Sequence, residues 1–190
     1  LHELAQGAGR VAIIVPDSTR GVPTARVMSL ILEELGCVGV ERKDVIVVIA
    51  TGVHRPATEE EVIDIVGPEN LDGITLMSHD PYDGEKLVYI GKTLHGTPVE
   101  VSRAVFETDL RIAVGKVEPH EFAGFSGGRK LVLPGIASER TIGINHRPEM
   151  LMSPEARPGR LLENPIHEDM IEAADMLKIH FTVNLVLNQF

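Results

Sequence analysis

The chain has 190 residues and carries 28 acidic against 18 basic side chains, a formal net charge of −10. Phosphate backbones are held by surplus Lys and Arg, so this balance argues against a nucleic-acid partner, although a local basic cluster can still hold one phosphate. The length supports one good hydrophobic core, the single cysteine, Cys37, allows no intrachain disulfide and suits a reducing cytoplasm, and no apolar run approaches the roughly 20 residues needed to cross a bilayer.

Val11–Val15 is a short apolar run that ends in Pro16-Asp17-Ser18-Thr19-Arg20-Gly21, and apolar residues at helical spacing follow from Pro23 to Leu35. This is strand, loop, helix. Cys37 closes the helical pattern beside Gly36 and is expected to be small and half-buried. Asp44 to Gly52 repeats the scheme: its β-branched run predicts a strand covered on both faces, and it leads into Val53-His54-Arg55-Pro56. Thr58 with Glu61 three residues on makes a capping box, and Gly67-Pro68 supplies the stop. Ile74–Met77 is a third strand, ending at Ser78-His79-Asp80-Pro81. Residues 87–102 alternate around Gly96-Thr97 and predict a hairpin or edge pair outside the parallel order. Asp109–Lys116 is another buried strand, delivering the run Lys116-Val-Glu-Pro-His120-Glu-Phe-Ala-Gly-Phe-Ser-Gly-Gly-Arg-Lys130. Helical patterns follow at about 138–146 and 165–177; between them, Pro148 to Pro158 resembles an exposed loop. The strand-like run from Phe181 stops almost at the chain end, Phe190, and the chain starts at Leu1, so residues 1–190 are expected to be a piece of a longer polypeptide. The order predicts an α/β fold with a mostly parallel, Rossmann-like open sheet flanked by helices, plus an additional hairpin or edge strands.

In such sheets ligands sit outside the carboxyl ends of the strands. Three strands end here in titratable clusters: Asp17 to Arg20, His54-Arg55, and His120 to Lys130. Asp17-Ser18-Thr19-Arg20 can turn hydroxyls, backbone N–H groups and a guanidinium towards one phosphate, and equally well be an ordinary Asx turn. An imidazole such as His54 exchanges protons near neutral pH, but a lone loop histidine more often only hydrogen-bonds. His79-Asp80-Pro81 reads as a structural turn. The glycines between His120 and Lys130 let backbone N–H groups close around an anion or a flat ligand. Lys130 can bind phosphate, or act covalently if its amine is kept neutral. His146, near the end of its helical pattern, can simply compensate the helix dipole. His2, His95, His167 and His180 have no supporting context and read as surface or packing residues.

Taken together and in order, Asp17-Ser-Thr-Arg20, Ala50-Thr-Gly-Val-His54-Arg-Pro, the run Glu118 to Lys130 and Asn145-His146 resemble the nickel-pincer lactate racemase family. The resemblance runs from near residue 10 to near residue 147 and is most specific in the glycine-rich block. It implies a two-domain isomerase, a racemase or epimerase of 2-hydroxy acids, with the C-terminal domain outside this chain. The cofactor implied is a nickel-pincer nucleotide, the Ni(II) pyridinium bisthiocarboxylic acid mononucleotide, made by dedicated cofactor-synthesis proteins and joined covalently to Lys130. His146 would be the protein ligand to nickel, and a planar set of soft donors suits Ni(II). Asp17, Ser18, Thr19 and Arg20 would hold the cofactor's phosphate end, with His54 and His120 as the paired acid/base residues on opposite sides of the substrate. The fragment alone is expected to be apo and inactive. Two other classes compete: a phosphate- or nucleotide-binding module without redox chemistry, and a metal-dependent hydrolase with His54, His120 and His146 as zinc ligands.

Overall fold

The computed structural model describes residues 1–188. After a single helical turn, α1 (His2–Ala5), strand β1 (Val11–Pro16) leads into α2 (Thr24–Cys37), and β2 (Val45–Ala50) into α3 (Glu59–Val66). β3 (Thr75–Ser78) is followed by an antiparallel hairpin of β4 (Leu87–Lys92) and β5 (Pro98–Ser102). A short α4 (Arg103–Phe106) precedes β6 (Leu110–Lys116), which delivers the glycine-rich run with its two-residue strands β7 (Pro119–His120) and β8 (Gly124–Phe125). Helices α5 (Glu139–Asn145), α6 (Pro148–Leu151) and α7 (Pro165–Leu177) come next, and β9 (Phe181–Leu185) is the last strand among the described residues.

Five strands pair in parallel in the order β3-β2-β1-β6-β9. The chain therefore builds outward from β1 on one side and then restarts at β6 on the other. Loops leaving the carboxyl ends of β1 and β6 diverge to opposite faces, which opens a crevice between them.

The strand sequences follow from this position. Every residue of β1 and β2 is buried, because each strand faces a core on both sides. Val11, Ile13 and Val15, with Val47, Ile49, Ile112 and Val114, pack against Met28, Ile31, Leu32 and Leu35 of α2. Ala12, Ile14, Val48 and Ala113 face the opposite core, with Val99 and Val101 of the hairpin, Ile142 of α5, and Ile166, Met170 and Leu177 of α7. Fully burying such a side chain contributes about 1.5–3 kcal/mol, against about 1–2 kcal/mol per residue for ordering the backbone. A central strand thus needs apolar side chains on both faces, and the β-branched runs supply them.

α3 starts as the sequence announces: the Thr58 hydroxyl accepts the Glu61 backbone N–H, and the Glu61 carboxylate accepts that of Thr58. Two expectations fail. Residues 148–158 are not all exposed loop, since Pro148 sits at the first position of α6, and Met150 and Ala156 are buried in the hairpin-side core. Cys37 is exposed rather than half-buried, because the buried stripe of α2 runs through Met28, Ile31, Leu32 and Leu35 and leaves position 37 off it.

Candidate active site

The crevice holds a cavity of about 250 Å³. Its wall comes from the loops after β1 (Asp17, Arg20) and β2 (Thr51 to His54), from the end of β6 and the loop after it (Lys116, Glu118), from Lys130, and from His146 at the end of α5. The loop after β2 is fastened to the segment after Lys130, since Gly52 N–H donates to the Gly135 carbonyl at 2.9 Å.

Asp17 and His54, 37 residues apart, meet across the crevice mouth: His54 Nδ1 lies 2.6 Å from Asp17 Oδ2. The other carboxylate oxygen, Oδ1, accepts the Thr19 backbone N–H at 3.1 Å and the Thr19 hydroxyl at 2.5 Å. With its acceptor fully used, Asp17 fixes the proton of neutral His54 on Nδ1 and leaves the Nε2 lone pair outward. Asp17 is buried, whereas the His54 side chain is 47% exposed, so the carboxylate is the fixed member of the pair and the imidazole the one that meets solvent or ligand. This is the arrangement by which a carboxylate orients a general base.

His120 is held from the other side. Its Nδ1 accepts the backbone N–H groups of Phe122 (3.3 Å) and Ala123 (3.2 Å) and so carries no proton. The proton of the neutral ring is therefore on Nε2, which lies 3.0 Å from Lys130 Nζ. An N–H facing an amine at this distance requires the amine to accept, and only a neutral amine has a lone pair to do so. The charges agree with the geometry. Burial, then the Arg20 and Arg129 cations, push the Lys130 amine down to about 7; burial, then Lys130, Arg20, His146 and Arg129, push His120 down to about 4. His120 stands behind Lys130 and is not itself part of the cavity wall.

His146 follows the last turn of α5. Its Nδ1 donates to the Ile142 carbonyl at 3.1 Å, and burial lowers its proton affinity. Nε2 is left as an unprotonated donor atom at the cavity, the orientation a metal-ligating histidine takes.

Of residues 17–20, Asp17 and Arg20 line the cavity and Ser18 and Thr19 do not. Ser18 donates to Glu61 at 3.0 Å, and Thr19 is committed to Asp17. Arg20 lines the cavity with a side chain that is committed to no other described residue. Arg55, next to His54, is not a site residue: it forms a two-pronged pair with Glu61 at 2.7 Å and 2.7 Å, which, with the Thr58 N–H, holds the Glu61 carboxyl at about 2. His79 is a buried structural residue, with Nε2 2.9 Å from the Ala137 carbonyl.

The glycines serve packing more than anion binding. A Cβ on Gly115 would lie 2.8 Å from Gly128 N and 2.9 Å from Gly127 C, and one on Gly128 would collide with Thr182. The Gly128 N–H is given to Asn184 Oδ1 at 3.0 Å. These contacts seat the turn bearing Lys130 directly on β6 and β9. Arg129 was not singled out by sequence reasoning: its half-buried guanidinium donates to the carbonyls of Ala123, Phe125 and Ser126 and so fixes the loop joining His120 to Lys130. His54, His120 and His146 do not gather as ligands to one ion; among the described residues no three His, Cys, Asp or Glu side chains do.

A family model described as the lactate racemase N-terminal domain matches residues 1–159. The lactate racemase of Lactiplantibacillus plantarum is 41% identical over 189 residues, which cover 100% of this chain and 44% of that protein. The lactate racemase of Thermoanaerobacterium thermosaccharolyticum is 40% identical over 188 residues, 99% of this chain and 44% of that protein. The structure of the latter's apoprotein matches with a TM-score of 0.93 at 40% identity, over 98% of this chain and 45% of that one. A crystal structure of a Thermotoga maritima protein matches with a TM-score of 0.84 at 26% identity, over 99% and 49% of the two chains. The chain thus spans less than half the length of these relatives.

Proposed function

Because the chain belongs to the lactate racemase family through its N-terminal domain, we propose that the full-length protein interconverts the stereoisomers of a 2-hydroxy acid, lactate or a related acid, in the crevice between β1 and β6. The observation that carries this reading is the pair of oriented imidazoles beside the Lys130 amine: His54 held by Asp17 at 2.6 Å, and His120 in contact with Lys130 at 3.0 Å. The α-hydrogen of a 2-hydroxy acid is poorly acidic. Its departure as hydride is easier if a base takes the hydroxyl proton at the same time. His54 does this through Nε2 for one stereoisomer, while Asp17 stabilises the imidazolium that forms. His120 does it from the other side for the mirror form, so two bases serve two configurations.

The residues fit the nickel-pincer nucleotide. The neutral amine of Lys130 is a nucleophile able to take a covalent bond, His146 offers one imidazole nitrogen to a metal that brings its other donors with it, and Arg20 is a free cation for the phosphate end. When bound, that group supplies nickel and an electrophilic ring carbon that accepts hydride. Cofactor-synthesis proteins are then necessary partners, and the reaction is set in the cytoplasm. Among the described residues no helix is long and apolar enough to cross a membrane.

The test is the intact mass and nickel content of the full-length protein produced together with cofactor-synthesis proteins, alongside chiral chromatography of each lactate enantiomer. The expected result is a mass adduct with nickel that disappears in Lys130→Ala and persists in Asp17→Asn. An unmodified mass in a fully active protein would overturn the reading.

A further inference from the structure

His120, read above as one of the two acid/base groups, does not line the cavity. Its Nε2 is occupied by Lys130 at 3.0 Å, and its Nδ1 by the backbone of Phe122 and Ala123. Every polar position on the ring is in use, so in this state His120 has no nitrogen to offer a substrate. We propose that His120 is parked on the Lys130 amine and is released for catalysis only when that amine becomes covalently attached. This rests on the reading that Lys130 carries the cofactor.

The chemistry follows from what acylation does to nitrogen: an N–C bond to the cofactor's carboxyl-type carbon forms, and one amine proton departs with that carbon's oxygen or sulfur substituent as water or hydrogen sulfide. A free amine keeps a lone pair that can accept the His120 Nε2–H. An amide-type nitrogen has its lone pair delocalised and presents only N–H, so the contact seen here cannot survive attachment. Attachment also abolishes the ammonium charge that Lys130 can otherwise carry. The charged groups facing His120 are Lys130, Arg20, His146 and Arg129, and those facing Lys130 are Arg20, Arg129 and Glu121. After burial, Lys130 is the largest influence holding His120 unprotonated. One modification thus removes the hydrogen-bond acceptor that the neutral amine provides and the cation that the protonated amine would provide, and lets the imidazole turn to the crevice and exchange protons. A protein without cofactor keeps its second base out of reach, so chemistry at the site waits for loading.

The test uses full-length protein without cofactor, labelled with ¹³C,¹⁵N-histidine, with the His120 signal identified by its loss in His120→Asn. The imidazole titration is followed in wild type, Lys130→Met and Arg20→Gln; Lys130→Gln replaces the methionine variant if packing is disturbed. Lys130→Met should move the His120 midpoint upward by about one unit or more, towards the ordinary ~6.5, and further than Arg20→Gln does. In protein carrying the Lys130 adduct, His120 should titrate as it does in Lys130→Met. Midpoints that coincide in wild type and both Lys130 variants would overturn the inference, while a Lys130 mass adduct in the same preparation would leave the proposed function standing. Absence of the adduct would remove the proposed function and, with it, the release step, even where the titration shows the contact.

Discussion

Asp17 binds its two oxygens to different tasks, one to hold the Thr19 turn and the other to orient His54. Asparagine at this position keeps the shape but no longer compensates an imidazolium, and it can present N–H to the ring and favour the wrong tautomer. Asp17→Asn in the loaded full-length enzyme is therefore expected to lower kcat by about 10² or more, with the mass adduct intact. Rates from chiral chromatography and the intact mass of the same sample check this, and a loss below threefold would remove Asp17 from the catalytic unit. Lys130 gives a second prediction, in stability. Its amine sits at about 7 in the folded chain against 10.5 for an ordinary lysine, so between these values the unfolded chain binds the extra proton, and stability from this residue rises with pH. Below about 7 the cost of burying the cation is present in full; near 10.5 it has gone. Lys130→Met should consequently raise the Tm of the cofactor-free protein most at pH 6 and least near pH 10. A constant difference across that range would count against the neutral amine.

Secondary-structure elements were legible where local chemistry decides them. The capping box at Thr58 and Glu61 marks the start of α3, the β-branched runs mark β1 and β2, and Gly96-Thr97 marks the hairpin of β4 and β5. Removing the cap hydroxyl in Thr58→Ala should cost about 1 kcal/mol, a fall in Tm of roughly 2–4 °C for a chain of this size, measurable by calorimetry. The glycine-rich run was legible as a site, but the reason for its glycines was not, because the partner that demands them is remote. Gly128 is glycine because β9 brings Thr182 against it, 54 residues later in the chain, and Gly115 because the turn itself lies on β6. Gly128→Ala should therefore destabilise by about 1–3 kcal/mol through overpacking. Thr182→Ala, which removes the colliding Oγ1 and Cγ2 atoms, should recover most of that loss in the double variant. A double-mutant cycle by denaturant unfolding measures the coupling, and purely additive losses would show that the two positions do not touch.

At the scale of the whole molecule, the sheet order decides what no local pattern records. The strand order β3-β2-β1-β6-β9 opens the crevice between β1 and β6 and so brings Asp17 to His54. Sequence reasoning placed each at a strand end and expected one pocket, but had no way to pair them, since pairing depends on how two loops from neighbouring strands fall. The same burial that makes the crevice makes the protein acid-sensitive. His120 and His167 both titrate at about 4 in the folded chain against an ordinary 6.5, in each case mainly through burial, and His79 and His146 are lowered in the same direction for the same first reason. Above 6.5 all are neutral whether folded or not, and they contribute no pH dependence. Between 6.5 and about 4 the unfolded chain takes up protons that the folded chain refuses, so stability falls as pH falls. Glu61, held at about 2 against 4.5, extends the loss below 4.5 by the opposite route, as a carboxylate whose ion pair with Arg55 is broken on protonation. The Tm of the cofactor-free protein should thus decline from pH 6.5 to 4 and continue to decline below. His167 is the histidine to test, because it lies in the first turn of α7, is buried, leaves its Nδ1 unpartnered, and plays no part in the proposed chemistry. His167→Gln has nothing to protonate, so its Tm curve should be flatter than wild type between pH 6.5 and 4 and parallel to it above 6.5. Curves that stay parallel down to pH 4 would mean that His167 protonates without cost, and that its burial is not what resists acid.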